Sequence, residues 1–348
     1  MKIIYSPDHA WHDPKTYFKG GTFHAPQEVP MRAEALLDGL RAAGHEIIPP
    51  SDFGPGPRAA VHTPGYLRFL ETIHARWIAG GLGGEEVLPN IHPGRHMTSM
   101  PSGIVGEVGH YTTDLSAPVG PRTWEAAVAA SNVAVTATRH VLDGLPGEAR
   151  ASYALCRPPG HHAFKDQAGG FCFLNNIAIA ADYARREVSR VAILDVDVHH
   201  GNGTQGIFYE RADVFTISLH CDPSDFYPFF SGYAHERGRG AGEGYNLNLP
   251  LPPLTADDAY LEYLEDALAA LRAYAPDVIF VALGLDAFEK DPLIGLSIST
   301  EGFSRIAAAI ARLGLPTVLV QEGGYNRDYL GANIASFLGG FEKARGAR

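Results

Sequence analysis

The chain has 348 residues, with 28 Lys and Arg against 39 Asp and Glu, for a formal net charge of −11. That balance argues against nucleic acid or an anionic membrane as a partner, and it is compatible with a cationic substrate. No run reaches the roughly 18 apolar residues of a membrane span, and Met1-Lys2-Ile3-Ile4-Tyr5 reads as a short strand rather than a signal peptide, so a cytoplasmic location is expected.

After that strand, residues 8–30 are rich in His, Pro, Gly and aromatics and read as a loop. Pro30 opens a helix that Gly44 follows, and His45–Pro49 suggests a second strand. Thr63 opens a helix to about Ile78, stopped by Gly80-Gly81. Residues 80–122 show no clear periodicity. A loop of that length inside a compact domain is usually functional or covers a partner surface. Trp124–Leu142 is a long Ala-rich helix. From there, strands at 152–156, 191–198, 214–219, 278–283 and 317–320 alternate with helices at 175–187, 204–209, 255–274 and 300–313. Residues 221–246 form a second Gly- and aromatic-rich loop. Cys156, Cys172 and Cys221 lack metal-site spacing and read as reduced thiols. The alternation predicts one α/β domain over 1–348, a doubly wound, mostly parallel sheet with helices on both faces.

The chemistry gathers at 193–203. Asp195, Asp197 and His199 fall at i, i+2 and i+4 of the strand expected at 191–198, which puts them on one face. Unpaired buried acids are expensive, and a metal ion would offset that cost. Open α/β sheets bind ligands at the carboxyl ends of their strands. Three more such ends carry unusual polar residues: Arg157-Pro158-Pro159-Gly160-His161-His162, Gly284-Leu285-Asp286 and Gln321-Glu322-Gly323-Gly324-Tyr325. Asp197, His199 and Asp286 supply two oxygens and one nitrogen, a set that suits one catalytic Zn²⁺ and would also fit Fe²⁺ or Co²⁺. Adjacent His161 and His162 repel when both are protonated, which favours one neutral imidazole as a base. Asp195 and Asn202 are candidates to orient them. The Gly323-Gly324 turn lets the Tyr325 hydroxyl swing in as a donor to an oxyanion.

Together Arg157–His162, Gly170-Phe171-Cys172, Asp195–Thr204 and Glu322–Tyr325 resemble the histone deacetylase family of the arginase/deacetylase superfamily. Lys19-Gly20-Gly21, Pro30–Glu34 and the insertion before Trp124 look most like its bacterial acetylpolyamine amidohydrolase branch. The resemblance implies an arginase/deacetylase-like fold and hydrolysis of an acetylated primary amine. Zn²⁺ would sit on Asp197, His199 and Asp286. His162 would act as general base and then acid, with His161 as its electrostatic partner bonded to Asp195, and Tyr325 would donate to the oxyanion. Phe171 and Tyr227 would wall a narrow acyl channel. The resemblance further implies structural K⁺ on Asp195, Asp197, His199, Ser218 and Leu219, and a second K⁺ on backbone oxygens of Phe208, Arg211, Val214 and Tyr245. It also implies a homodimer through the 80–122 loop. Asn202 stands where some members carry Asp. No acidic cluster marks the channel mouth, which leaves Glu107 and Asp114 as candidate anchors for distal amines. A protein acetyl-lysine deacetylase, or a non-catalytic module that holds acylated ligands, are the alternative readings.

Overall fold

The computed structural model describes residues 1–146 and 150–346. Within them the strands are β1 (Lys2–Ile4), β2 (Tyr17–Lys19), β3 (Thr22–His24), β4 (Glu46–Ile48), β5 (Ala151–Ala154), β6 (Val191–Asp195), β7 (Val214–Cys221), β8 (Asn246–Leu251), β9 (Val278–Leu283) and β10 (Thr317–Gln321). Eight of them form one sheet in the order β4-β1-β5-β10-β9-β6-β7-β8. Every neighbouring pair in it is parallel. β2 and β3 pair separately as an antiparallel hairpin.

The helices are α1 (Met31–Ala42), α2 (Gly56–Val61), α3 (Pro64–Ala79), α4 (Ile104–His110), α5 (Thr123–Leu142), α6 (Asn176–Ala184), α7 (Asn202–Phe208), α8 (Asp257–Tyr274), α9 (Thr300–Ala311) and α10 (Arg327–Gly346). Strands β6, β9 and β10 are buried at every position. Helices cover both of their faces, so they read as continuous apolar runs rather than alternating ones. On one face Leu36 of α1, Leu264 of α8, Ile310 of α9 and Phe337 of α10 pack with Leu194, Val281 and Leu319. On the other, Val133 of α5 and Ile177 of α6 meet Ile193, Phe280 and Val320. All three cysteines are buried free thiols.

The sheet order has a direct consequence for the site. β5, β10, β9 and β6 are consecutive neighbours, so the four strand ends that carry the unusual polar residues lie side by side. Parallel pairing puts all four on one edge, with Val320 opposite Ala154, Gln321 opposite Leu283 and Asp195 opposite Ala282.

Several local expectations change, and residues 8–30, expected as a loop, contain the β2–β3 hairpin. The central strand stops at Asp195 rather than Val198, because Asp195 Oδ1 accepts the Asp197 amide at 3.0 Å and turns the chain out of the sheet. β8 was not expected: its inward positions are Asn246 and Asn248, so a polar pattern hides a buried edge. Their amides donate to Gln205 Oε1, each at 2.9 Å, which satisfies them inside. The 80–122 segment is not wholly irregular either, since it contains α4. Its base is closed by a Val87–Val119 bridge packed with Tyr66, Phe69 and Trp77 of α3.

Candidate active site

With β6 ending at Asp195, the metal-binding candidates do not share a strand face. A turn brings them together instead. Asp197 Oδ1 accepts the His199 amide at 2.8 Å, and Asp286 Oδ1, from the loop after β9, accepts the Val198 amide at 3.1 Å. Asp197 Oδ2 accepts the Gly323 amide at 2.8 Å, which ties the turn after β10 to the same point. Glycine is needed at two of these approaches: a Cβ on Gly323 would collide with Asp286 Oδ2, and one on Gly284 with Asp197 Oδ2.

The resulting donor set fits a divalent cation. Ligand atoms of Asp197, His199 and Asp286 lie within 4.8 Å of one another, and all three residues are buried. His199 Nδ1 is 3.1 Å from Asp197 Oδ1 and 3.3 Å from Asp286 Oδ2. Asp286 Oδ2 is buried with no hydrogen-bond donor, the signature of an oxygen meant for another partner. Burial pulls the His199 imidazole down, yet the two carboxylates hold its proton up to about pH 9. The same attraction favours a metal cation at that point.

The histidine pair sits on the loop after β5. Glu322 Oε2 accepts the amides of Gly160 at 2.6 Å and His161 at 3.1 Å, which pins this loop to the end of β10. His161 Nδ1 lies 2.9 Å from Asp195 Oδ2 and His162 Nδ1 lies 2.7 Å from Asn202 Oδ1, so both orienting partners expected for the pair are in place. The two ring centroids are 4.0 Å apart. Their environments drive them in opposite directions. Burial opposes charge on His161, but Asp195 and Asp197 outweigh it and raise the imidazole to about 10. Burial, then the neighbouring His161 and His199, push His162 well below its ordinary value. Asn202 Oδ1 can only accept, so Nδ1 of His162 carries the proton and Nε2 is free to accept one.

His162, His199 and Tyr325 open into a cavity of about 420 Å³. Phe171 and Tyr227 line it as expected, joined by Tyr17 and Phe226. Phe171 adopts φ 70°, a left-handed backbone that bulky residues rarely take, which places a strained aromatic at a functional wall. Its ring centroid lies 5.6 Å from that of Tyr325 and 5.3 Å from that of Tyr17. Tyr227 stands edge-on to His162 at 4.9 Å. Burial raises the Tyr325 phenol well above its ordinary value, so it keeps the proton it would donate.

Neither candidate anchor points into this cavity. Asp114 Oδ2 accepts the Tyr227 hydroxyl at 2.6 Å and the Gly170 amide at 3.0 Å, while Oδ1 accepts the Ser116 amide at 2.7 Å. Asp114 therefore braces the two walls. Glu107 pairs with Arg76 of α3. The acidic side chain that does line the mouth is Asp225, with Lys19 on the same rim.

Sequence reasoning missed a buried charge cluster behind Tyr325. Arg32 donates to the carbonyls of Glu322 at 2.8 Å and Gly324 at 2.5 Å, and its guanidinium lies 4.5 Å from the Tyr325 ring centroid. Glu28 accepts from Arg32 at 2.9 Å and from Arg157 at 2.9 Å. The Glu28/Arg32 pair has i,i+4 spacing, which ordinarily marks a solvated helix pair and gave no sign of burial.

A model of the histone deacetylase domain matches residues 26–341. The chain is 47% identical to an acetylpolyamine amidohydrolase of Burkholderia pseudomallei over 99% of this chain and 100% of that protein. It is 42% identical to acetylpolyamine amidohydrolase 1 of Pseudomonas aeruginosa, over 99% of each. A crystal structure of acetylpolyamine aminohydrolase from B. pseudomallei superposes with a TM-score of 0.93 over 98% of both chains, at 47% identity. A full-length match of this kind, together with the histidine pair and carboxylate set at the sheet edge, places the chain in the histone deacetylase family.

Proposed function

We propose that the protein is a metal-dependent amidohydrolase that removes acetyl groups from small acetylated amines of the polyamine kind. The observation that carries this is the convergence, in one narrow cavity, of the Asp197, His199 and Asp286 donors with a neutral His162 and a protonated Tyr325. A divalent ion, with Zn²⁺ the best fit to two oxygens and a nitrogen, would supply Lewis-acid polarisation of the acyl carbonyl and of water.

The chain's own residues do the rest. His162 Nε2 takes the proton from the attacking water, and Asn202 keeps the imidazole in the tautomer that can do so. His161, charged against Asp195, holds positive charge 4.0 Å away and keeps His162 a mild base that readily returns the proton to the leaving amine. Tyr325 donates its phenolic proton in a hydrogen bond to the developing oxyanion. Phe171 and Tyr227 confine an aliphatic acyl-amine chain between aromatic faces and exclude water beside it. Asp225, exposed at the mouth, is placed to meet a distal ammonium.

The names of the full-length relatives support the polyamine class of substrate. We read residues 1–348 as one catalytic domain with its insertion at about 80–122. Ile91, Met97 and Met100 are exposed on that insertion at 55%, 58% and 52%, which supports a homodimer formed through it. A structural K⁺ on Asp195, Asp197, His199, Ser218 and Leu219 is supported by the small cavity that Asp195 and Ser218 line. The second K⁺, on Phe208, Arg211, Val214 and Tyr245, rests on family resemblance.

Acetate release by the Zn²⁺-loaded protein tests the reading, with acetylated diamines and polyamines compared against acetyl-lysine peptides of increasing length. Preference for the small amines is the expected outcome. Preference for long peptides would overturn the substrate class and leave a protein deacetylase.

A further inference from the structure

Asp291 is 2% exposed and lies outside the metal set, yet its carboxylate accepts three backbone amides from two separate segments. Oδ2 accepts Tyr325 at 2.8 Å and Asn326 at 3.3 Å, in the turn after β10. Oδ1 accepts Leu293 at 3.0 Å, in the loop after β9. Asn326 returns the link by donating its side-chain amide to the Lys290 carbonyl at 2.6 Å. Leu293, the adjoining Ile294 and Tyr325 all line the reaction cavity. Two walls of one cavity are therefore laced through a single buried side chain.

The turn needs such a tie. Gly324 has φ 120°, a conformation closed to other residues, and glycine alone would leave the direction of Tyr325 poorly fixed. Ile294 also sits in the left-handed region at φ 48° while 65% exposed, so little packing holds the mouth loop on that side. Three amides from two segments, gathered on one buried side chain, hold both backbones in one arrangement.

We propose that Asp291 is a positioning residue for the hydrolysis: it fixes the Tyr325 backbone against the Leu293–Ile294 segment, so that the phenol donor and the channel mouth move as one body. The proposal rests on Tyr325 being the oxyanion donor. The hydrogen bonds of the Asp291 side chain go to backbone amides, so it acts through Tyr325.

A double-mutant cycle tests this. Asp291→Ala should lower kcat by about 10–100-fold, the usual cost of losing a group that orients a reacting one, with metal content unchanged. Asp291→Asn keeps one acceptor oxygen and should restore most of the loss; it also serves if the alanine variant folds poorly. In a Tyr325→Phe background the same Asp291 substitutions should lower kcat by less than about threefold, since the group they position is already gone. Equal losses in both backgrounds, or loss of bound metal, would overturn the proposal while leaving Tyr325 as donor. A wild-type rate for Tyr325→Phe alone would remove Tyr325 from the mechanism and the role of Asp291 with it.

Discussion

The floor and the mouth of the cavity are built by different means. At the floor, Asp197, His199, Asp286, His161 and His162 are all buried and follow the ends of three parallel strands, β6, β9 and β5, of one sheet. Carboxylates there take backbone amides at 2.6–3.1 Å, so each side chain is fixed by the sheet through at most a few bonds. The mouth comes from the β2–β3 hairpin, residues 225–229, Leu293–Ile294 and Ser116 of the insertion, four segments outside the sheet. Rigid strand ends hold groups to the tolerance that chemistry demands, whereas loops can change length and side chain without disturbing them. Reaction type thus belongs to the floor, and the choice of substrate to the mouth.

Substitutions can break or sharpen that division. The largest effect is expected at the floor from Asp286→Ala. It should cost both the metal, read by elemental analysis, and at least about 10³-fold in kcat, because several kcal/mol of charge stabilisation depend on the ion. Retained metal would detach Asp286 from the set. Next, Tyr325→Phe should lower kcat by roughly 10²–10³-fold with KM little changed, as expected for a group that acts in the transition state.

At the mouth the pattern should invert. Tyr227→Phe keeps the aromatic wall and removes the hydroxyl that Asp114 accepts. KM for an acetylated diamine should shift by about 3–10-fold, equivalent to one hydrogen bond of about 1 kcal/mol, while kcat stays within about twofold. A large fall in kcat with KM unchanged would erase the division between floor and mouth.

The last effect falls on stability rather than on activity and concerns the support beneath the floor. His62 Nε2 accepts the Asn175 amide at 3.0 Å, and Nδ1 faces the Lys165 carbonyl at 3.3 Å, a fixed neutral tautomer that ties the loop after β5 to its surroundings. Burial lowers this imidazole from 6.5 to about 4. Between those values the unfolded chain binds the extra proton, so stability should fall as pH falls through 6.5 to about 4, on the order of 1 kcal/mol per pH unit. His62→Gln should flatten that part of the stability profile measured by denaturant unfolding. An unchanged slope would remove His62 as its source.

Much of the floor was legible in the sequence, though for a reason that needed correcting. Asp197 and His199 are singled out, with Asp195, by their alternate positions on a strand expected to reach Val198, and Asp286 by its place after the strand at 278–283, but β6 ends at Asp195 and the turn closed by Asp195 and Asp286 does the gathering. Both arrangements keep polar groups at the sheet edge, which is why the three side chains still converge. The mouth was much less legible. Asp114 and Glu107 looked available to amines because sequence shows a carboxylate and not its partners, here Tyr227 and Arg76. Asp225 carried no signal beside Phe226 and Tyr227. Asp291 reads as an ordinary Asp-Pro turn until the distant Tyr325 amide is placed 2.8 Å from it. Contacts between loops far apart in the chain leave no periodicity to read.

The most direct test of the account is a stoichiometric titration of metal-free protein with Zn²⁺, following acetate release from an acetylated diamine at each addition. One donor set of Asp197, His199 and Asp286 predicts activity that rises in proportion and saturates at one equivalent per chain. Full activity in the metal-free protein, or saturation at two equivalents, would contradict it.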